Sequence, residues 1–186
     1  MSIEKNNGEQ EMENTAPKAR YAVGQKIYYP GWGVTEVKAI EEKNIGGING
    51  IFYHLHIIDA ERNVLVPINA ADAVGIRPLI TNLQIKQALD IFRTGNTGRT
   101  GTQSPKEENR FKRKREYYAK IKSGSVTDLA EVICDLMMQK KSGPLAFAES
   151  RALSNAKDLL VKEIAQVRKQ TEIEVWTEIW AIFAQR

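Results

Sequence analysis

Tyr28-Tyr29-Pro30-Gly31-Trp32-Gly33-Val34 lies at the centre of a stretch, residues 21–80, whose reading decides the fold of the first half of the chain. An aromatic and β-branched run enters it, Pro30-Gly31 interrupts, and a second apolar run leaves. That order reads as strand, tight turn, strand. Further units of the same kind follow before residue 80, dense enough for a small antiparallel barrel.

Residues 25–29 form the first expected strand. Residues 34–40 form the second, with Val34, Glu36 and Lys38 on one face and Thr35, Val37 and Ala39 on the other. Gly46-Gly47-Ile48-Asn49-Gly50 reads as a hairpin tip, because glycine takes positive φ without steric cost. Residues 51–58 are the most strongly β-type run. Ile51, Tyr53, Leu55 and Ile57 are expected to face the core, leaving Phe52, His54, His56 and Ile58 on the other side. After a polar turn at 59–63, residues 64–67 make a fourth strand, ended by Pro67, which cannot donate to a ladder. Residues 69–74 suit one helical turn, and 75–79 would close the barrel.

The remainder reads as helical. Thr81 or Asn82 caps a helix with Leu83, Ile85, Ala88, Leu89 and Phe92 at helical spacing. Residues 95–105, rich in Gly and Thr, form a linker. A basic helix over 106–122 stops at Ser123-Gly124. Ser125 caps the next, with Asp128 at capping-box spacing and a stripe of Val126, Leu129, Ala130, Ile133, Leu136 and Met137. Ser142-Gly143-Pro144 ends it. A last helical stretch begins near Ala146 and carries Phe147, Leu153, Leu160 and Ile164, then Ile173, Trp176, Trp180 and Phe183, with a break near Gln170-Thr171. Residues 1–20, almost free of apolar side chains, read as a disordered tail. The expected organisation is therefore a tail (1–20), a barrel (21–80), a helix and linker (81–105) and a helical domain (106–186). The fold class is α+β in two domains.

The net charge of +4 is unevenly placed: residues 106–122 hold eight Lys or Arg against three Glu. Such an excess favours a polyanionic partner, nucleic acid first; a solvated helix face has the same composition. A single cysteine, Cys134, rules out an internal disulfide and fits a reducing compartment. No apolar run approaches the roughly 20 residues that span a bilayer, and the start of the chain lacks a signal-peptide pattern. A cytoplasmic protein is expected.

No catalytic constellation emerges. His54 and His56 share a strand face, but a zinc site needs three or four N or S ligands and Cys134 lies in a distant helix. Gly46-Gly47 is followed by no Lys-Ser/Thr and opens no helix, so it is not a phosphate loop. Neither an enzyme nor a cofactor is expected. The strongest local signal is Arg110-Phe111-Lys112-Arg113-Lys114-Arg115 with Tyr117-Tyr118 behind it. Cations there can reach phosphates, which supplies affinity without sequence reading. Phe111 and Tyr118 suit either packing on neighbouring helices or insertion at a base step. Trp176 and Trp180, four apart, suit docking on the helical domain or an exposed patch for another protein.

Read in series, the motifs resemble a known family. Val23-Gly24 through Tyr29-Pro30-Gly31-Trp32-Gly33-Val34 is followed by Ala39-Ile40-Glu41, Ile45-Gly46-Gly47, Tyr53, Val66-Pro67 and Val74-Gly75-Ile76-Arg77-Pro78. This is similar to the CarD/CdnL family of bacterial transcription factors and to the polymerase-binding module of the transcription-repair coupling factor. Lys120-Ile121-Lys122-Ser123-Gly124-Ser125-Val126, the segment from Ala130 to Leu136 and the segment from Ala156 to Val161 extend the resemblance through the helices, to about Ala165. The resemblance implies a Tudor-like barrel that adds an edge strand to the β subunit of RNA polymerase. It also implies a helical domain that meets promoter DNA at the upstream edge of the transcription bubble and stabilises the open complex. By position, the implied polymerase face is Lys43, Ile45, Leu65, Val66 and Pro67. The implied DNA face is Lys112, Arg113, Arg115 and Arg151. Where the family places a tryptophan wedge this chain has Arg110, with Phe111 next, and both join the DNA face. The position before Arg151, basic in the family, is Ser150. These departures leave a second reading: an adaptor on the polymerase with little DNA affinity, using Trp176 and Trp180 for a further protein. The localisation implied is cytoplasmic and nucleoid-associated.

Overall fold

The computed structural model describes residues 19–97 and 107–186, apart from the side chains of residues 48 and 107–110. The expected tail up to residue 18, most of the expected linker (98–105) and Lys106 lie outside the described residues.

Five antiparallel strands come first: β1 (Lys26–Tyr29), β2 (Gly33–Ile45), β3 (Ile48–Ile57), β4 (Arg62–Pro67) and β5 (Arg77–Pro78). They lie in the order β4-β3-β2-β1-β5. β2 runs five residues beyond the apolar pattern. Its last part, Glu41 to Ile45, pairs with β3 residues Ile48 to Phe52, and the charged side chains are tolerated because little packs on the hairpin tip. The connection shrinks to Gly46-Gly47, at φ +62° and +86°, as a two-residue turn with two positive φ angles demands. A bulge between Val37 and Ala39 breaks the register and with it the strict alternation expected along 34–40.

One face of the sheet closes over Ile27, Val37, Tyr53, Leu55 and Val66, with Tyr21, Ala71 and Ile76 beneath. The Tyr21 hydroxyl donates to the Ile76 carbonyl at 3.0 Å, and the Tyr53 hydroxyl accepts the backbone N–H groups of Arg20 and Tyr21. Residues 20 and 21 are thereby tied onto the barrel. A short 3-10 turn over Ile68–Ala70 overlaps only the start of the span, 69–74, where one helical turn was expected.

Five helices follow: α1 (Asn82–Thr94), α2 (Glu107–Ser123), α3 (Val126–Ser142), α4 (Phe147–Arg168) and α5 (Glu172–Ala184). Thr81 caps α1 in a full capping box with Gln84, and Ser125 caps α3 through the Asp128 N–H. Lys169, at φ +55°, ends α4, and Thr171 opens α5 in a second capping box with Glu174. That pair of signals is the break expected near Gln170-Thr171. The helices share one core built around Phe92, Leu129, Ile133, Leu136, Leu160 and Ile164. Cys134 lies inside it, fully buried, and burial pushes its thiol up to about 11. On α5 the buried stripe is Val175, Ile179 and Phe183; of the expected set Phe183 is in it, while Val175 and Ile179 stand where Trp176 and Trp180 were expected. Ile173 faces solvent and Trp176 is only half-buried. The architecture is a Tudor-like antiparallel sheet followed by an all-α domain.

The two parts are locked together. Glu163 of α4 is 0% exposed. Its carboxylate takes both arms of the Arg77 fork, at 2.6 and 2.9 Å, and the Ile80 N–H at 3.1 Å. Arg77 also donates to the Gly124 carbonyl at 2.7 Å, and its guanidinium lies 4.0 Å over the Tyr28 ring. Gly124 sits at φ +68°, and a Cβ there would fall 2.6 Å from that ring, so only glycine fits the corner between α2 and α3. Burial pushes the Glu163 carboxyl above its ordinary range, and Arg77 and the Ile80 N–H pull against it.

Removing one partner of a buried pair strands the other charge, at a cost of about 3–5 kcal/mol. Arg77→Ala should therefore lower the melting temperature by about 10 °C, at 2–4 °C per kcal/mol for a chain of this size. In that variant the Glu163 carboxyl rises further. A carboxyl with a raised folded pKa favours the folded state while protonated, and that advantage is lost as pH rises from about the ordinary value of 4.5 through the folded value. The deficit of Arg77→Ala against the native chain should thus be smaller at pH 5 than at pH 8. Equal deficits in thermal melts at the two pH values would show that Glu163 does not carry the effect.

Candidate interaction surfaces

Two surfaces collect most of the residues singled out in the sequence. The first is the sheet edge. β4 pairs with β3 on one side only, and among the described residues no strand pairs with its other side. Leu65, opposite His54, is 36% exposed, whereas Val66 is buried in the barrel core. The Val66 side chain is therefore not part of an outer face, and only its backbone reaches the edge. Pro67 ends the strand opposite Phe52. Lys43 and Ile45 lie elsewhere, near the tip of the β2–β3 hairpin. Lys43 pairs with Gly50 of β3, so it stands two strands away from Leu65 and about 13 Å further along. Its ammonium is engaged by Glu41 at 2.8 Å. The five residues thus form two patches, not one.

Beside the edge, His54 Nδ1 lies 3.6 Å from a Glu41 carboxylate oxygen and His56 Nδ1 lies 3.0 Å from Asn63 Oδ1. Among the described residues no group of three or more His, Cys, Asp or Glu side chains is placed to hold a metal ion.

The second surface is α2. Its C-terminal half is anchored: Tyr117 and Ile121 are buried, the Tyr117 hydroxyl donates to Asp135 and accepts from Gln139 Nε2 at 2.7 Å, and Lys120 pairs with Glu131. The segment before it projects. Lys112, Lys114 and Arg115 are exposed and Arg113 is half-buried. Among the described residues none of these four is in a salt bridge. Phe111 is 72% exposed. Arg110 lies in the helix, and its side chain is outside the described residues. α4 abuts this segment with its first turns, so Arg151 is brought to the same end of the helical domain. Its guanidinium lies 6.0 Å from the ring of Phe147, itself exposed. Phe111, Lys114, Tyr117 and Tyr118 line a groove of about 200 Å³ against Ala146, Ala148, Glu149 and Ala152. Neither the exposure of Phe147 nor this groove was expected from the sequence. The signal available was the alanine-rich start of α4, which leaves a gap wherever a bulky residue faces it.

The tryptophans are treated unequally. Trp176 packs on the helical core with Lys157 Nζ 4.7 Å from its ring centroid, while Trp180 is 50% exposed beside Phe183. Among the described residues no helix is long and apolar enough to cross a membrane.

Two family models match the chain. The model described as the CarD-like/TRCF RID domain matches residues 21–80, and that described as the CarD C-terminal domain matches residues 99–179. A Bacillus subtilis (strain 168) protein, YdeB, provisionally named a transcription factor, is 30% identical over 155 residues, which is 83% of this chain and 97% of YdeB.

The Tyr117 hydroxyl sets how firmly α2 is seated. Tyr117→Phe should cost about 1–2 kcal/mol, since it removes the two hydrogen bonds that tie the hydroxyl to Asp135 and Gln139 of α3. Amide exchange in α2 should accelerate more than in α3; uniform acceleration across both helices would refute a local anchoring role.

Proposed function

This chain belongs to the CarD family of transcription factors, and from that membership we propose that it binds the RNA polymerase β subunit through the β4 edge and promoter DNA through the basic face of α2. The observation that carries the reading is the pairing, on one locked body, of an open sheet edge with a projecting row of cations that are in no salt bridge among the described residues. An edge strand offers a row of backbone donors and acceptors to an incoming strand, which is the physics of strand addition. The exposed Leu65 side chain beside it supports a contact that backbone pairing alone would leave unspecific. Lys112, Arg113, Lys114, Arg115 and Arg151 suit phosphates, so DNA affinity is expected to be electrostatic and indifferent to sequence. The action proposed is on the stability of the open promoter complex, without catalysis.

The chemistry separates the two contacts. Leu65→Glu should weaken polymerase binding, because a carboxylate on the outer face of the edge must be desolvated, and should leave DNA binding unchanged. Unaltered polymerase affinity would remove the β4 edge as the docking face. Changing Lys112, Arg113 and Arg115 together to Ala should reduce the slope of log affinity for DNA against log salt by about 3, near one for each phosphate no longer neutralised. A slope that does not move would place the DNA face elsewhere.

A further inference from the structure

α5 is apolar on two sides. Val175, Ile179 and Phe183 face the core, with α1 and α4 packed against the helix. A second stripe, Ile173, Trp176, Thr177, Trp180 and Ala184, recurs at i, i+3, i+4, i+7 and i+11. It looks outward: Ile173 is 79% exposed, Trp180 is 50% exposed and Trp176 is half-buried. A helix apolar on both sides is ordinarily buried on both, and an exposed row of large apolar residues marks a contact surface. We infer that this stripe is the interface of a two-fold dimer, in which α5 packs antiparallel on α5 of a second copy of the chain. The inference is independent of the polymerase and DNA contacts proposed above.

Charge singles out a second copy as the occupant. The stripe is acidic at its start, where Glu172 and Glu174 stand, and basic at its far end. There Lys141 of α3 lies with Nζ 4.5 Å from the Phe183 ring centroid, and the Phe183 ring is 5.9 Å from that of Trp180. Glu172 and Phe183, about three turns apart, share one flank of the helix. A two-fold axis that sets the helices antiparallel lays each flank on the same flank reversed. Glu172 of each copy therefore meets Lys141 of the other, and the contact is made twice. Neither residue is in a salt bridge among the described residues; Lys162, whose field reaches Glu172, is held by Asp59 at 2.9 Å. The axis passes near Thr177, small enough for close approach, and brings each Trp180 against Ile173 of the other copy. Other occupants fit less well. Residues 1–18 carry four Glu against two Lys and would set their charge against Glu172 and Glu174, as would DNA or anionic lipid. One 13-residue helix, about 20 Å long, presents less than the roughly 800 Å² per partner of a standard interface, so the dimer is weak, dissociating at about 10 µM.

The test is sedimentation equilibrium of the full chain from about 1 µM to about 500 µM, where the apparent mass should rise from one chain to two. Trp180→Glu, at an exposed position, should weaken the dimer by more than about 30-fold, the weight of one buried interface tryptophan. Glu172→Lys and Lys141→Glu should each weaken it about threefold, and the two changes in one chain should restore it. Thermal melts at the lowest concentration should match those of the native chain for every variant, since all three side chains are exposed and Glu172 stands outside the Thr171–Glu174 capping box. A chain that stays monomeric across the range overturns the dimer; if deletion of residues 1–18 then moves the tryptophan emission of that monomer to longer wavelength, the occupant is the chain's own tail. A dimer indifferent to Trp180→Glu has its interface elsewhere and overturns the assignment as well. A double charge swap that fails to restore association rejects the antiparallel register, and the inference falls with it.

Discussion

The Glu163 carboxylate is the constraint on which the rest of the architecture depends. It is wholly buried in α4, among residues of the helical core, and a charge in that position must be met by hydrogen bonds or not be there at all. It is met by Arg77 of β5 and by the backbone N–H of Ile80, between β5 and α1. Arg77 in turn reaches the corner between α2 and α3 and stacks on a β1 tyrosine. Four segments distant in sequence are held at one point. The other cross-links, Lys162 with Asp59 and Lys26 with Gln166, involve partly exposed groups, and such contacts contribute about 0–1 kcal/mol each. They follow the arrangement set by Glu163 and do not decide it. The separation between the β4 edge and α2 is fixed as a result.

Burial is distributed unequally over the two surfaces that this arrangement presents. β1 and the start of β2 are covered on both faces: the core lies on one side, and α4 on the other, where Leu159 lies so close to Gly33 that a Cβ there would be 3.2 Å away. β4, three places along the sheet from β1, keeps one edge and one face open. In α2, among the described residues, the last two turns are seated on α3 through Tyr117 and Ile121, and the segment from Phe111 to Arg115 has polar character nearly all round. A helix of that kind is displayed by its anchor, since it has no apolar stripe of its own to bury.

Much of this is legible in the sequence, and the exceptions share a cause. Strand and helix order, the Thr81 and Ser125 caps and the break at Gln170-Thr171 are local events written in local residue types. The inward face of β3 is legible too, because Tyr53, Leu55 and Ile57 alternate. What is not legible is tertiary. Glu163 stands in Leu159-Leu160-Val161-Lys162-Glu163-Ile164-Ala165, where a lone carboxylate at a core-facing position hints at a hidden partner, yet nothing local points to Arg77. Leu65, Val66 and Pro67 are consecutive and so read as one surface, but the period-two pleat sends alternate side chains to opposite faces. On size alone Trp176 and Trp180 claim the stripe of α5, whereas Val175, Ile179 and Phe183 take the core. Family position groups Lys43 and Ile45 with Leu65, but it carries no information about where on the surface each residue falls.

The sealed thiol of Cys134 has a practical corollary for chemical labelling. It is the one cysteine in the chain, fully buried, with its Sγ directed at the Ile91 carbonyl at 3.7 Å. Alkylating and fluorophore reagents attack the thiolate, and burial holds this one protonated at neutral pH. A cysteine introduced on the β4 edge or at the start of α4 would therefore be the sole reactive site of the native fold, with no need to remove the resident one. The molecule is ready for single-position spectroscopic reporters on either surface, and modification of Cys134 itself would register opening of the helical core.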